Sequence, residues 1–405
     1  MNRTVITLDK KKMFTDYSHK PLKHKSLNGC HNNYEVQLGK SIAFLKEANG
    51  CVDYGDYICM KMCEIVDLPC AEMEMVYLQG FPRENEERLL SFEEHCAEIR
   101  KISSFKSNDE EYLRQSYAHY EKMYHARNMP LRAGVLSYDY KELPEFRDIS
   151  KAISISTITE AYAQLTGTEA PMSIDGYMQI LDELTNGNSK MGKSLRKQLG
   201  LKDNINLSPT LCDDLKKYVV FGFVTGQIDM KQDNIHLVVR KSGKGFEISA
   251  GPLFDNGESF NLSSIERVDA IDDPERATDY ALDLGRNMAN RVSLTENSGV
   301  DYDKQLEEIA SEIASNPQIA QFYGQLKSIN IDQILTQIPS REAEYHMVCK
   351  MVKGIYSSRI SAIEQLLTKQ TTTENKNETE SQVELITQLT SSQTQPILED
   401  DEFCL

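Results

Sequence analysis

Apolar and polar residues alternate in the first part of the chain. The segment YEVQLGKSIAFLK, residues 34–46, alternates around a glycine, which predicts two short antiparallel strands joined near residues 38–40. The run DYICMKMCEIVDL, residues 56–68, carries apolar residues at helical spacing and ends just before Pro69, so it predicts a helix. A third strand is predicted in AEMEMVYL, residues 71–78. Two strands, a helix and a strand are typical of a small α+β lobe.

Helical periodicity dominates the rest of the chain. Residues 84–127 are charged, rich in tyrosine and mostly free of glycine and proline, which predicts helices on the rim of the first lobe or a long helical connection. Residues 234–254, NIHLVVRKSGKGFEISAGPLF, interrupt the pattern and predict a β-hairpin whose turn uses Gly243 and Gly245. Further helical patterns lie at residues 149–166, 174–185, 209–221, 261–290, 303–314, 317–327 and 341–367.

The composition is that of a globular protein with polar ends. The 405 residues, 40% of them hydrophobic, suffice for two ordinary domains or one large bilobed domain. Beyond Lys369 the chain consists mainly of Thr, Ser, Gln, Asn and Glu, which predicts a disordered acidic tail over residues 369–405. The first 25 residues form a basic arm that could contact an acidic partner or an anionic substrate, with Arg3, Lys10, Lys11, Lys12, Lys20, Lys23 and Lys25 against Asp9 and Asp16.

Charge and cysteine usage narrow the functional classes. A formal net charge of -17 at pH 7 repels a phosphate backbone and so argues against direct nucleic-acid binding. The nine cysteines form no CxxC pair, which favours buried thiols in a reducing compartment, here the cytoplasm. Cys59 and Cys63 lie one helical turn apart without a second ligand pair at zinc spacing, so core packing is favoured over metal binding. The longest apolar run, Tyr218 to Val224, is far shorter than the ~20 residues of a membrane span, so a soluble protein without a membrane partner is predicted.

The candidate chemistry lies at the two ends of the predicted hairpin. Asp229 and Asn234 precede its first strand in the sequence DMKQDN, and Asp255 follows its second strand. Mg²⁺ prefers oxygen ligands and completes its shell with water and phosphate oxygens, so Asn234 and Asp255 are predicted metal ligands. Asp229 is then left to accept the proton of an incoming hydroxyl, and Lys231 to place a positive charge against a transferring phosphoryl group.

These residues resemble a known family. The stretch from Asp229 to Asn234 has the spacing of a protein-kinase catalytic loop, including the lysine two residues after the aspartate, and FDNG, residues 254–257, is similar to the metal-binding DFG element. The segment SAGPLFDNGESF, residues 249–260, resembles the APLFDNG segment of HipA-like serine/threonine kinases. The segment YICMKMCEIVDLPCAEMEMV, residues 57–76, is similar to the first-lobe helix and strand of that family.

The resemblance implies roles for residues of the first lobe. It implies that Lys46 contacts the α and β phosphates of ATP, and that Asp56, where the family has a helix glutamate, pairs with Lys46. It places the loop that covers the phosphates at Ser26 and Gly29. ATP and Mg²⁺ are the cofactors that this resemblance implies.

A second nucleotide-binding pattern is also present. GNSKMGKS, residues 187–194, satisfies the P-loop expression G-x-x-x-x-G-K-[ST]. A P-loop follows a buried strand, whereas the preceding segment GYMQILDELTN, residues 176–186, has its apolar residues at helical spacing. A glycine-rich loop between two helices is therefore the favoured interpretation.

The sequence predicts a bilobed, protein-kinase-like α+β fold with ATP between the lobes. The predicted divisions are a basic arm (1–25), a small β-rich N-lobe (26–80), a mainly helical C-lobe with the catalytic hairpin (81–368) and the tail (369–405). The predicted function is an ATP- and Mg-dependent serine/threonine protein kinase of HipA-like type acting on a protein substrate, with autophosphorylation left open. The alternatives are a small-molecule phosphotransferase of the same fold and a pseudokinase that acts as a binding module.

Overall fold

The structure is a computed structural model. It describes residues 4–7, 13–16, 33–38, 41–47, 51–79, 89–101, 110–127, 131–140, 143–264, 274–339 and 345–392. The strands are β1 (Thr4–Thr7), β2 (Met13–Asp16), β3 (Asn33–Leu38), β4 (Ser41–Glu47), β5 (Met73–Gln79), β6 (Leu131–Tyr138), β7 (Ile149–Ser154), β8 (Ile205–Leu207), β9 (His236–Ser242) and β10 (Gly245–Ala250). The helices are α1 (Val52–Ile65), α2 (Phe92–Lys101), α3 (Glu110–Arg127), α4 (Ile155–Thr166), α5 (Ile174–Thr185), α6 (Lys190–Gln198), α7 (Leu211–Thr225), α8 (Pro274–Arg286), α9 (Tyr302–Ser315), α10 (Pro317–Lys327), α11 (Ile331–Leu335) and α12 (Tyr345–Ser392).

The first lobe is built on a six-stranded sheet with the order β1-β5-β6-β4-β3-β2. Strands β3 and β4 pair as the antiparallel hairpin that the alternating pattern predicts, with Tyr34 opposite Leu45. Helix α1 contacts β5 and β6 of this sheet and buries a face that includes Ile58 and Met62. The predicted strand, strand, helix and strand of this lobe are therefore confirmed.

Three strands of this sheet were not predicted. Strand β6 lies between β5 and β4, so the sheet extends well beyond the predicted N-lobe boundary at residue 80. Helices α2 and α3, predicted on the rim of the lobe, connect β5 to β6. Strands β1 and β2 lie at the two edges of the sheet, within the segment predicted as a basic arm; the arginine and lysines of that arm lie outside the described residues. Each edge strand has only four residues, and its pairing with a neighbouring strand, which sequence spacing does not show, stabilises it.

The second lobe is mainly helical and carries a four-stranded sheet with the order β7-β9-β10-β8. The predicted hairpin is confirmed as β9 and β10, with Val239 opposite Ile248. Gly243 in its turn has a φ of 56°, which a residue with a side chain rarely adopts. Gly245 serves a different purpose, because a Cβ atom there would lie 2.5 Å from the carbonyl oxygen of Asn204, next to β8. The molecule thus has the predicted α+β fold, with a small sheet-based lobe and a mainly helical lobe.

The long helix α12 is fixed to the second lobe by a buried arginine. The Arg359 side chain is fully buried and donates hydrogen bonds to the carbonyl oxygens of Phe223 (3.2 Å), Gly285 (2.8 Å) and Met288 (2.6 Å). Its guanidinium lies 4.7 Å and 4.8 Å from the ring centroids of Phe223 and Tyr302, within the range of cation–π attraction. Burial lowers its pKa to about 10, which still leaves the group charged at neutral pH. Arg359 therefore connects α12 to the last turn of α7.

The P-loop pattern forms a loop between two helices, as favoured. Residues 174–185 are the helix α5, where a P-loop would need a strand. The hydroxyl of Ser189 caps α6 by accepting a hydrogen bond from the Gly192 N–H at 3.1 Å. A Cβ atom on Gly192 would lie 2.2 Å from the carbonyl oxygen of Glu183, so the start of α6 packs directly on the end of α5. The first turn of α6 is thus closed off by its own cap and by a neighbouring helix.

The last helix extends into the segment predicted to be a disordered tail. Helix α12 runs to Ser392, so residues 369–392 are helical; residues 393–405 lie outside the described residues. A helix satisfies its own backbone hydrogen bonds, and a composition poor in apolar residues does not reveal such an extension. None of the described helices has the length and apolar character that crossing a bilayer requires.

Helix α1 packs closely against the segment after β10. A Cβ atom on Gly55 would lie 2.6 Å from the carbonyl oxygen of Gly257, and a Cβ on Gly257 would lie 3.1 Å from Val52 and 3.2 Å from the Asp56 carboxylate. The two backbones therefore meet glycine against glycine. This contact places the first-lobe helix directly beside Asp255 and its neighbours.

Two helical glycines are expected to respond oppositely to alanine. Gly55→Ala should lower the free energy of unfolding by about 1 to 3 kcal/mol, because the added methyl overlaps a backbone oxygen. Gly324→Ala in α10 should raise it by about 0.5 to 1 kcal/mol, because no atom lies within 4 Å of the added carbon and alanine favours the helix. Urea unfolding of both variants checks this, and an unchanged or raised stability of Gly55→Ala would contradict the close packing.

Candidate functional site

The site begins where helix α7 ends. Gly226 has a φ of 60° and donates its N–H to the carbonyl oxygen of Phe223 at 3.1 Å, while the next N–H, of Gln227, is donated to that of Gly222 at 2.8 Å. A glycine in this conformation ends a helix and turns the chain sharply. The turn carries Gln227 into the interior, where the residue is only 2% exposed.

The loop after this turn is anchored by Met230. Its side chain is buried against α7, since a Cβ atom on Gly222 would lie 2.4 Å from the methionine methyl carbon. Asp229 and Lys231 on either side remain partly exposed, at 23% and 29% of their side chains, and form an ion pair of 3.0 Å. The apolar residue therefore fixes the loop, and its two charged neighbours remain accessible to a ligand.

Asn234 closes the loop through its side chain. Its Nδ2 donates a hydrogen bond to the carbonyl oxygen of Asp229 at 3.0 Å, and its N–H donates to that of Lys231 at 2.9 Å. These bonds curl the loop into a short 3₁₀ turn, Gln232–Asn234, just before β9. Because the Nδ2 is used inside the loop, the amide oxygen is the part of Asn234 that is oriented away from this bond.

Asp255 lies where the second lobe reaches the first. Leu253, two residues earlier, donates its N–H to the carbonyl oxygen of Pro69 at 2.8 Å and accepts the N–H of Ala71 at 2.8 Å. Asp255 itself has a left-handed backbone with a φ of 57°, uncommon for a residue with a side chain. Such a strained conformation persists only where surrounding contacts fix it, and it is frequent at functional sites.

A single side chain connects the two segments. The Gln227 Nε2 donates a hydrogen bond to the Asp255 carbonyl oxygen at 2.9 Å, and its Oε1 accepts the N–H of Asp229 at 3.1 Å. Both ends of one buried amide are therefore used to hold the backbones of Asp229 and Asp255 at a fixed separation.

Lys46 of β4 joins the site from the first lobe. Its Nζ donates a short hydrogen bond to the Asp255 carboxylate and lies 3.7 Å from the carboxylate of Asp56 on α1. The Lys46 and Asp255 side chains are 20% and 39% exposed, whereas that of Asp56 is only 2% exposed. The six predicted residues for which the structure gives contacts thus belong to one connected set, ordered as Asn234, Asp229 with Lys231, Asp255, Lys46 and Asp56.

The charges of this set differ in how well they are balanced. Burial alone would lower the pKa of Lys46, but the carboxylates of Asp255 and Asp56 outweigh it and place that pKa above its ordinary value. Burial raises the pKa of Asp56 to about 6, against the opposing effect of Lys46. The Asp56 Oδ1 has no hydrogen-bond partner among the described residues. Lys46 is therefore firmly charged, and Asp56 is the more weakly ionised member.

Arg291 adds a second cation beside Asp229. Its Nη1 lies 3.5 Å from the Asp229 Oδ1, and its side chain is 57% exposed. It belongs to the segment between α8 and α9, which carries no pattern that suggests chemistry. The Asp229 carboxylate is consequently approached by cations on both of its oxygens, from Lys231 and Arg291.

The predicted Mg²⁺ ligands suit that ion in chemistry. An amide oxygen and a carboxylate are hard oxygen donors, and Mg²⁺ bound to phosphates takes only one or two such groups from the protein. The Asn234 hydrogen bond that fixes Nδ2 orients its amide oxygen as an acceptor, and the Asp255 carboxylate is partly exposed. Among the described residues, no three His, Cys, Asp or Glu side chains converge to hold a metal by themselves. The pair therefore fits a metal held jointly with phosphate, rather than an all-protein metal site.

Two predicted residues lie outside the described part of the chain, and two residues of the site were not predicted. Ser26 and Gly29, predicted in a phosphate-covering loop, lie outside the described residues. Gln227 and Arg291 were not predicted. The helix-ending Gly226 marks a turn at Gln227 in the sequence, but it does not show that the Gln227 side chain lies inside the protein. Arg291 has no comparable signal, since it reaches Asp229 from a distant part of the chain.

Two of the solved structures that are similar to this chain are bacterial proteins. A Helicobacter pylori proinflammatory kinase, CtkA, is 12% identical, with 84% of this chain and 92% of that chain covered at a TM-score of 0.48. The toxin HipA of Shewanella oneidensis MR-1, solved with HipB and operator DNA, is 9% identical, with 87% and 67% covered at a TM-score of 0.42. No family model and no curated protein matches the chain. The chain is thus similar in structure to a HipA, the family that its motifs resemble.

The Asp56 carboxyl should make stability fall as the pH rises from 4 to 6. Its folded pKa of about 6 lies above the value of about 3.9 for an unfolded aspartate, so the folded state binds this proton more tightly. Raising the pH through this window should cost about 1 to 3 kcal/mol of unfolding free energy, a loss that Asp56→Asn lacks. Urea unfolding of both proteins between pH 4 and 7 measures it. Glu64→Gln, an exposed change on the same helix, is the control, and parallel profiles for wild type and Asp56→Asn would contradict the assignment.

Replacing Gln227 should loosen the loop that carries Asp229. Gln227→Leu removes both hydrogen bonds, and stability should fall by about 1 to 3 kcal/mol because two partly buried backbone groups lose their partner. Hydrogen exchange should speed up at the Asp229 amide, which Gln227 protects. Gln232→Leu is the matched control, because Gln232 bonds to Thr159 and Pro171 instead. Equal exchange at Asp229 in the two variants would exclude the bridging role.

Proposed function

We propose that this protein is an ATP- and Mg-dependent serine/threonine protein kinase of HipA-like type. The observation that supports the proposal is the connected set of polar contacts from Asn234 through Gln227 to Lys46. It unites, across two lobes, the residue types that phosphoryl transfer uses: an acceptor-orienting carboxylate, two metal-ligand candidates and a phosphate-binding lysine. Chance surface polar residues do not share one buried amide as their common support.

In the proposed reaction Asp229 faces the acceptor hydroxyl. The hydroxyl oxygen forms a bond to the γ-phosphorus of ATP while the bond from that phosphorus to the β,γ-bridging oxygen breaks, and ADP leaves. The hydroxyl proton passes to the Asp229 carboxylate. Lys231, ion-paired with Asp229 at 3.0 Å, places its charge beside the transferring phosphoryl group.

The first lobe would supply the phosphate contact. Lys46 carries a firm positive charge and is partly exposed, so its ammonium group suits the α and β phosphates. Asp56 lies behind it, buried, and holds the lysine in place from α1. Asn234 and Asp255 would hold Mg²⁺, which when bound neutralises phosphate charge. The contact between Gly55 of α1 and Gly257 fixes the distance between Asp56 and Asp255.

A protein acceptor is favoured by the exposure of the reacting residues. The Asp229 side chain is 23% exposed and the neighbouring Arg291 is 57% exposed, so a hydroxyl on the surface of another protein could reach them. The described cysteines are free thiols, which supports a reducing, cytoplasmic location. A small-molecule phosphotransferase and a pseudokinase are the alternatives that the following experiment separates.

Asp229→Asn should reduce phosphoryl transfer by about 10² to 10⁴-fold, because the amide accepts no proton. Purified protein is incubated with γ-labelled ATP and a heat-inactivated cell extract, with Mg²⁺ or with a chelator. Label should appear on protein only with Mg²⁺ and intact Asp229. Asp233→Asn, the same substitution at an exposed position of the same loop, is the matched control and should retain activity.

Three other outcomes would each contradict the proposal. Label on a metabolite and none on protein would indicate a small-molecule phosphotransferase. Equal and negligible labelling by wild type and Asp229→Asn, together with stabilisation by nucleotide, would indicate a pseudokinase that binds without catalysis. Undiminished labelling by Asp229→Asn would remove Asp229 from the reaction.

A further inference from the structure

A polar cavity lies in the helical lobe, apart from the candidate site. It has a volume of about 640 Å³ and is formed by the end of α5, the outer face of α6 and the segment that leads into β8. None of the site residues described above lines it. Cavities of 300 to 1,000 Å³ are typical of sites for small ligands.

The lining of this cavity is basic, although the whole chain is strongly acidic. Lys193, Arg196 and Lys197 of α6 line it against a single carboxylate, that of Asp203. The formal net charge of the protein is -17, so three clustered cations are not explained by the overall composition. Lys193 and Lys197 lie one turn apart on α6, are exposed and have no ion pair with another described residue. A concave surface of one charge concentrates counter-ions of the other.

Arg196 is the buried part of this lining. Its side chain is 4% exposed, and its Nη1 donates hydrogen bonds to the carbonyl oxygens of Leu184 and, at 3.4 Å, of Asn186. Its Nε has no hydrogen-bond partner among the described residues, and the nearest carboxylate oxygen, on Asp203, lies 3.4 Å away. The Asp203 side chain is 87% exposed, so solvent screens its interaction with the buried guanidinium of Arg196. A buried cation that is fixed in place and incompletely paired is a favourable contact for a ligand anion.

The groups that this cavity offers to a ligand are side chains rather than the backbone amides of a P-loop. The Gly192 N–H at the start of α6 is already bonded to the Ser189 hydroxyl, and the Lys193 N–H to the Ser189 carbonyl oxygen at 3.1 Å. These two backbone amides are therefore not available to a phosphate group. From the pattern GNSKMGKS only Gly187 and Lys193 line the cavity, and the following turn of α6 adds Arg196 and Lys197.

We propose that this cavity binds a small anion that carries phosphate groups. Two ammonium groups and a guanidinium suit the several oxygens of a phosphate, and the neutral residues Asn204 and Asn206 line the same cavity. Asp203 competes with the ligand for Arg196. The site is independent of the proposed kinase reaction and would exist whether or not that reaction occurs.

Isothermal titration with pyrophosphate, in the presence of a chelator, tests the site. Wild-type protein should bind one pyrophosphate, and Lys193→Gln with Lys197→Gln should weaken binding at least about tenfold because two cations are lost. Lys190→Gln, an exposed lysine on the same helix that does not line the cavity, is the matched control and should bind like wild type. Asp203→Asn should bind more tightly, since the competing carboxylate is gone.

The same titration distinguishes this cavity from the proposed ATP site. Lys46→Met should leave unchanged the pyrophosphate binding that depends on Lys193 and Lys197, because Lys46 does not line this cavity. Binding that is lost in Lys46→Met and kept in the α6 double variant would overturn the proposal. So would equal binding by the double variant and by Lys190→Gln, or no binding by wild type.

Discussion

Both ends of one buried amide determine the geometry of the candidate site. Gln227 is held inside the protein by the glycine cap of α7, and its two hydrogen bonds set the separation of Asp229 and Asp255. A buried amide left without partners costs more free energy than the bonds gain, so each segment keeps the other in place. The charged residues are then displayed by a neutral support that does not compete with them for ligands.

The ion pairs of the first lobe depend on this arrangement. Asp255 receives Lys46, and Lys46 lies near Asp56, so β4 and α1 are joined electrostatically to the second lobe. Desolvation makes Asp56 a weak acid whose charge is maintained only beside Lys46. Gly55 and Gly257 make this proximity sterically feasible, since any side chain at either position would separate α1 from Asp255. The close packing of the two glycines and the ion pairs of Lys46 therefore stabilise the same contact between the two lobes.

Local patterns predicted the parts of the fold whose residues alternate or repeat regularly. Strands β3 to β5, helix α1 and the hairpin of β9 and β10 follow from such patterns, because a half-buried element shows its period in the sequence. Strands β1, β2, β6 and β8 were not predicted, because their partners are distant in sequence. The helix predicted over residues 149–166 was wrong for residues 149–154, which form β7 because they pair with the distant strand β9. Helix α12 was predicted only to residue 367, since a composition rich in Thr, Ser, Gln and Asn predicts disorder for the residues that follow.

Some residues of the candidate site could be predicted from the sequence and others could not. Lys46, Asp56, Asp229, Lys231, Asn234 and Asp255 were predicted as charged or amide residues in a recognisable order. Gln227 was not, because a neutral residue in a turn carries no chemical signal until the turn is seen to point inward. Arg291 was not, because its proximity to Asp229 arises from the packing of helices.

Arg359 also constrains when this site can form during synthesis. Its guanidinium holds the carbonyl oxygen of Phe223, which precedes it by 136 residues and lies in the turn that positions Gln227. Domains fold while the chain is synthesised, at roughly 5–20 residues per second. Synthesis of the residues between Phe223 and Arg359 therefore takes at least several seconds, and during this time the end of α7 lacks its hydrogen bond from Arg359. The candidate site therefore reaches its final arrangement only after the last long helix has been synthesised.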